Sequence, residues 1–498
     1  VRAAFRRPDQ PDEATLTKHE TPKRAHEGLR SDIFMPDCEV EGEIPSGLAG
    51  ALVRLGGEWF YPPRFPDDAP LHSDGYISTF TLGGGRASFR GKYVRTPRFQ
   101  ANLSAGRQLF GYYRNRGTDD PSVRHLDGTV ANTTPMVLAG KLFALKEDAL
   151  PYRIDPVTLD TLGPHDFGGA YKAPTFTAHP KRDHATGETI AFGYEATGPA
   201  SRDVFLYTID RAGQVTHEVR FQVPYTSVMH DMAITDRHVI FPFCAYTTSP
   251  ERLAEGRIHW GWDPSLPSYI GIIPRGGDAK DMRWFKGPQM CMMHTLNART
   301  EGDKVVLEAP FYEGNFFPFF PNTDGSPFDP TKARAFIRRM TFDLSSNKDS
   351  WDEEILFPGP VSDLARIDER FTGRDNRYAF ASFRDASRPF TGTAPPFPIG
   401  WLSNTYGRFD LKDRTFESAL IGDSYHLQEP VFVPRTAGGD ESDGWLLGVA
   451  NDYRDHRSEL VILDAQRIAE GPIGKVLMPF FAGPQVHCTW AAAGVFSE

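Results

Sequence analysis

The sequence predicts an all-β protein, and three observations carry that expectation. Short alternating or apolar runs broken by turn residues recur along the chain, helical periodicity is weak, and no βαβ rhythm appears. The runs pair as hairpins. Ile77–Leu82 and Ala87–Val94 flank Gly83-Gly84-Gly85, and Met136–Ala139 and Leu142–Leu145 flank Gly140-Lys141. Phe205–Ile209 and Gln214–Val219, Ala233–Thr235 and His238–Phe243, and Arg408–Leu411 and Thr415–Leu420 read the same way. The best helical candidates, Pro330–Arg339 and Ser362–Glu369, are short. Over 498 residues, four-stranded blades repeated around an axis manage strand edges better than one sandwich does. No repeat of fixed period is visible.

Gly 46 and Pro 41 are spread along the chain, which means many turns and not one linker. Residues 1–35 read as a partly ordered lead-in, and 36–498 as a single domain. The basic residues of the lead-in (Arg2, Arg6, Arg7, Lys18, Lys23, Arg24) are interrupted by acids and read as solvated. A net charge of −10 repels phosphate backbones, which excludes nucleic acid as a partner. No run approaches transmembrane length, and the N-terminus has no signal-like apolar core. Cys38, Cys244, Cys291 and Cys488 show no C-x-x-C spacing and read as free thiols. A cytoplasmic protein is the expectation, with a homodimer left open.

Among fifteen histidines, His19 and His26 fall in the lead-in. His125, His165, His184, His217 and His456 have polar surroundings and read as surface-loop residues. Four differ: His179, His230, His294 and His487 each end or interrupt an apolar run. A histidine ending a buried strand must be hydrogen-bonded, charged or metal-bound. Their separations match no local metal motif. Inner strands of different blades converge on one axis, however, where four such side chains would make a metal centre.

The residues around them carry a resemblance. The segments Thr177-Ala-His-Pro-Lys, His230-Asp-Met-Ala-Ile-Thr, His294-Thr-Leu-Asn-Ala, Glu429-Pro-Val-Phe-Val-Pro-Arg and His487 before Trp490 stand in the order of the carotenoid cleavage oxygenases. Gly42-Glu-Ile-Pro, Asp74-Gly and Ala131-Asn-Thr add to it, and the likeness runs from about residue 35 to the C-terminus. The resemblance implies a seven-bladed β-propeller, its iron-bearing face capped by loops and short helices. It also implies one axial Fe(II) held by His179, His230, His294 and His487. Carboxylates orient three of these imidazoles in the family; the matching positions are Glu147, Glu429 and, one methylene shorter than usual, Asp363.

Leu109-Phe-Gly-Tyr-Tyr-Arg-Asn, Thr118-Asp-Asp-Pro-Ser-Val and Leu145-Lys-Glu-Asp resemble the branch that cleaves stilbenes and phenylpropenes. That branch implies that Tyr113 and Lys146 bind a 4-hydroxyl on the substrate, a phenolic alkene such as a hydroxystilbene or isoeugenol, cleaved with O2. An aromatic residue that flanks the substrate ring there falls near Leu71, a departure. By its surroundings alone, Lys146 would be a solvated lysine at a hairpin end and Tyr113 ordinary packing beside Tyr112. Neighbours on a strand face opposite ways, so Lys146 and Glu147 share a cavity only if the strand ends there. Two rivals remain: an apocarotenoid cleaver with the same metal site, and a non-catalytic binding propeller, which would not need all four histidines.

Overall fold

The computed structural model describes residues 29–360, 362–393, 402–483 and 485–496. Seven antiparallel sheets of four or more strands follow one another along the chain, with a small ribbon of Tyr246–Thr247 and Gly261–Trp262 beside them. They form a seven-bladed β-propeller, as expected. Blade 1 combines Ile33–Met35, Gly50–Glu58, Asp74–Gly83 and Arg86–Tyr93 with the last strand, Gln485–Ala492. Blades 2 to 6 begin with their innermost strands, Thr134–Leu138, Lys181–Arg182, Ala233–Ile234, Asn297–Glu301 and Ala365–Arg366. Blade 7 runs from Tyr425–Leu427 and Val431–Pro434 out to Pro472–Met478, where Glu39–Gly42 adds an outer strand. Of the lead-in, residues 1–28 lie outside the described residues, with His19, His26 and the basic cluster. Ile33–Met35 is a strand of blade 1.

The core lies between blades. In blade 2, Leu142 and Ala144 face a cluster shared with Val53, Leu55 and Ile77 of blade 1. Phe143 and Leu145 face the opposite way, onto Phe205, Tyr207 and Ile209 of blade 3. The two-residue strand period therefore serves two clefts at once. Both faces being buried, such strands read as apolar runs without polar alternation. Gly444–Asp452 of blade 7 is buried at every residue.

All five hairpins form, with ends moved by a few residues. The turn placed at Gly140-Lys141 is Ala139-Gly140, both at positive φ (48° and 68°), and Lys141 belongs to the strand. Positive φ at both turn residues matches the twist of the flanking strands. The two expected helices are absent. Phe336–Asp343 is a strand whose buried residues include Ile337, Met340 and Phe342, paired with Lys304–Phe311. Within Ser362–Glu369, Ala365–Arg366 is the innermost strand of blade 6. Propeller edges had to be paired, and that outweighed a weak helical preference. Among the described residues the α-helices are Pro97–Ala105 and Pro250–Ala254. The first has Thr96 accepting from the Phe99 N–H, Pro97 at its first position and Gly106 at its end in a left-handed conformation. His217 lies on the strand Val215–Gln222 and not in a loop. The four cysteines are free and buried. No helix among the described residues is long and apolar enough to cross a membrane.

The ring closes where Gln485–Ala492 pairs with Gly50–Glu58. Glu58 ends that strand, buried, against the backbone of Gly483, where a Cβ would stand 1.5 Å from Glu58 Oε1. Burial raises the Glu58 carboxyl to about 7, opposed by the Gly483 N–H and the Arg54 guanidinium. An acid raised in the folded state favours folding below its unfolded pKa, and that stability is lost as pH climbs through about 7. Glu58→Gln should therefore gain on the wild type by roughly 2–3 kcal/mol between pH 5 and pH 8. Urea midpoints at both pH values measure this, and parallel profiles would remove Glu58 as the cause.

Candidate metal centre

Each blade sends one residue to the axis. His179, His230 and His294 stand just before the innermost strands of blades 3, 4 and 5, and His487 lies on that of blade 1. Blades 2, 6 and 7 supply Glu147, Asp363 and Glu429. The four imidazoles converge with their ligand nitrogens within 4.8 Å of one another. Nε2 to Nε2 distances are 3.0 Å for His179–His230, 3.1 Å for His230–His294 and 3.2 Å for His294–His487.

Three of the rings have a carboxylate behind them. His230 Nδ1 meets Glu147 Oε1, His294 Nδ1 is 2.8 Å from Asp363 Oδ2, and His487 Nδ1 is 3.1 Å from Glu429 Oε1. The shorter side chain of Asp363 thus makes its contact directly. A carboxylate at Nδ1 holds the proton there and leaves the Nε2 lone pair facing the axis. Lone pairs so close repel unless a cation lies among them. Two imidazole nitrogens about 2.1 Å from one metal ion, at right angles, stand about 3.0 Å apart. The residues fit a metal ion, and an all-imidazole set suits a divalent transition metal such as iron.

Charge agrees with this arrangement at all but His294, where burial is outweighed by Asp363 and the imidazole is raised above the ordinary histidine value. Burial would raise Glu147, but His230 and Lys146 outweigh it and hold the carboxyl well below the usual range. Glu429 behaves likewise, with Arg366 and His487 outweighing burial. Burial, with the neighbouring imidazoles, keeps His179 well below the ordinary histidine value. Burial brings His487 to about 4 against the pull of Glu429.

Lys146 and Tyr113 are both buried and lie together, Nζ 5.1 Å from the ring centroid. The strand Lys141–Leu145 stops before Lys146, so Lys146 and Glu147 can face the same region; Nζ is 3.8 Å from Glu147 Oε2. Nζ donates to Thr133 Oγ1 at 3.2 Å and to Leu71 O at 3.3 Å. Leu71 therefore meets Lys146 through its backbone carbonyl. Asn132 Nδ2 braces that segment by donating to Leu71 O and Ser73 O. Phe320 stacks on Tyr113 at 6.4 Å, in the run Asn315–Phe320 anchored by Tyr246, whose hydroxyl accepts from the N–H groups of Phe316 and Phe317.

The family model for retinal pigment epithelial membrane protein matches residues 29–492. The chain is 40% identical to isoeugenol monooxygenase of Pseudomonas putida over 93% of this chain and 95% of that protein. It is 38% identical to lignostilbene-α,β-dioxygenase isozyme III of Sphingomonas paucimobilis over 97% and 98%. The crystal structure of Pseudomonas brassicacearum lignostilbene dioxygenase superposes with a TM-score of 0.92 at 38% identity, covering 96% of this chain and all of that one. The chain belongs to this family. It is an alkene-cleaving oxygenase of the carotenoid cleavage type.

Several residues around the centre of this oxygenase escaped sequence reading. Thr133 and Asn132 lie in the Ala131-Asn-Thr segment, which drew attention only as a likeness. Nothing local singles out Arg366, and the phenylalanine-rich Asn315–Phe320 was a readable signal left unread. His72 and His259 are buried, as only His487 of the four is, and each contacts a carboxylate, Asp68 at 2.7 Å and Glu195 at 2.8 Å. Neither belongs to the cluster.

His230→Ala should abolish most binding of one divalent metal per chain while leaving far-UV circular dichroism unchanged, as metal analysis after loading will show. Asp363→Ala should weaken metal retention by roughly 10–100-fold and Asp363→Glu much less. Equal retention in wild type and Asp363→Ala would mean that His294 needs no carboxylate.

Proposed function

We propose that the four histidines hold one Fe(II) and that this oxygenase cleaves the alkene of a 4-hydroxyphenyl substrate, a hydroxystilbene or a phenylpropene, with O2. The observation that carries the reading is the buried Lys146–Tyr113 pair, joined to the metal centre through Glu147. The names of the two relatives support it, since lignostilbenes and isoeugenol both conjugate a phenol with an alkene.

The bound Fe(II) would supply the site at which O2 is activated. The remaining chemistry belongs to side chains. Two N–H groups of Lys146 are committed to Thr133 and Leu71. The third is left for a phenol oxygen, and the Tyr113 hydroxyl has no hydrogen-bond partner among the described residues. An ammonium beside a phenol stabilises its anion and lowers its pKa. Burial lowers Lys146 from the ordinary lysine value, against Glu147 and Asp148, which brings the two groups closer in proton affinity. The phenolate then delocalises charge through the ring into the alkene, making it a better partner for oxygen. Phe320 and the segment carrying it present ring surface beside Tyr113 and keep that end of the substrate dry. Adding the two atoms of O2 across the broken double bond gives two carbonyl fragments, one of them a 4-hydroxybenzaldehyde.

The test compares turnover of a 4-hydroxystilbene or isoeugenol with that of its methyl ether. The ether cannot ionise and leaves buried polar groups unpaired, so the wild type should process it at least about 100-fold more slowly. Lys146→Met should keep iron yet lose turnover of the phenol. Equal rates on phenol and ether would reject phenol activation and favour an apocarotenoid-like substrate.

A further inference from the structure

Arg366 stands on the innermost strand of blade 6 and bonds none of the four imidazoles. Its Nη1 lies 2.9 Å from Glu429 Oε2 and donates to Cys488 O at 3.1 Å, while Nη2 pairs with Glu369. Glu429 Oε2 also accepts from the Cys488 N–H at 2.9 Å, which leaves Oε1 to face His487. One guanidinium of blade 6 thus grips a carboxylate of blade 7 and the peptide that follows a histidine of blade 1. We propose that Arg366 is the positioning residue for His487, setting its direction toward the metal through Glu429 and the Cys488 carbonyl. The proposal rests on the four-histidine metal centre.

Two features of the fold make such a clamp necessary. The pairing of Gln485–Ala492 with Gly50–Glu58 shifts register between Leu55 and Gly56, and Leu55 is the residue opposite His487. The sheet is irregular where the ligand must be most exact, so the strand ladder alone does not set the imidazole. The other two orienting carboxylates are also held less firmly. Glu147 Oε2 and Asp363 Oδ1 are buried without a hydrogen-bond partner, and the nearest cation to Glu147 is Lys146 at 3.8 Å. Among the described residues, Glu429 alone of the three has both oxygens engaged. A planar guanidinium suits this task because its N–H groups leave in fixed directions, which a lysine cannot reproduce.

The sign of the effect separates positioning from bulk charge. Removing a cation near a metal site strengthens metal binding through charge alone, whereas losing the clamp weakens it. Lys181 is a control for charge. It sits on the innermost strand of blade 3 and pairs with Asp231 at 2.7 Å, and Asp231, which also accepts from Thr295 and from the Met232 N–H, holds no ligand imidazole among the described residues.

Co(II) is titrated into the metal-free full chain against a competing chelator and followed by its visible absorption. Arg366→Gln should bind Co(II) about 10-fold or more weakly, the lower range for losing an outer-shell partner. Arg366→Lys should fall between it and the wild type, and it carries the test if Arg366→Gln does not fold. Lys181→Met should bind Co(II) as tightly as the wild type or tighter. Added to Glu429→Gln, Arg366→Gln should cause little further loss, as expected for one shared route. Equal or tighter Co(II) binding in folded Arg366→Gln, or wild-type affinity in Arg366→Lys, overturns the clamp. A wild type that takes up no Co(II) overturns the metal centre itself, a separate result.

Discussion

Seven sheets must close into a ring before any of the chemistry exists, because the centre takes one residue from every blade. Four imidazoles come from blades 1, 3, 4 and 5, and three carboxylates from blades 2, 6 and 7. The closing strand, Gln485–Ala492, carries His487 itself. Closure and ligation are therefore one event at that seam. A metal ion bound only by the closed ring adds its binding free energy to folding.

The same geometry concentrates charge at the axis. Three carboxylates out of water would be costly unless each were paired and hydrogen-bonded. Each contacts an imidazole, and two also lie near a cation, Lys146 for Glu147 and Arg366 for Glu429. Lys146 thereby belongs to two environments, the outer layer of the metal centre and the buried contact with Tyr113. That double membership depends on the strand Lys141–Leu145 ending one residue early. Had it continued, Lys146 and Glu147 would point to opposite clefts.

The hairpins were readable because turn residues interrupt a period of two, and local backbone chemistry decides both. Their ends were less so: Ala139 adopts positive φ beside Gly140, a conformation residue type does not announce. Pro330–Arg339 was expected to be helical, but its second half belongs to the strand Phe336–Asp343, whose place between two strands of blade 5 settled the choice. The Thr96-Pro97 start and Gly106 stop of the long helix were present in the sequence and went unread beside the stronger β pattern.

Four histidines stood out by their contexts without coordinates, whereas Glu147, Glu429, Asp363, Tyr113 and Lys146 were marked only by the likeness to a known family. The sequence by itself also determined the all-β class, since strand period and turn chemistry act over a few residues. Which histidines meet was decided only by the tertiary structure. His72 and His259 are buried and have carboxylate partners as His487 does, yet stand apart from the cluster. A metal site depends on distances of about 3 Å between side chains from separate blades, and separation along the chain carries no such information. Arg366 shows the same limit, because a residue that acts by bridging three blades has no local signature.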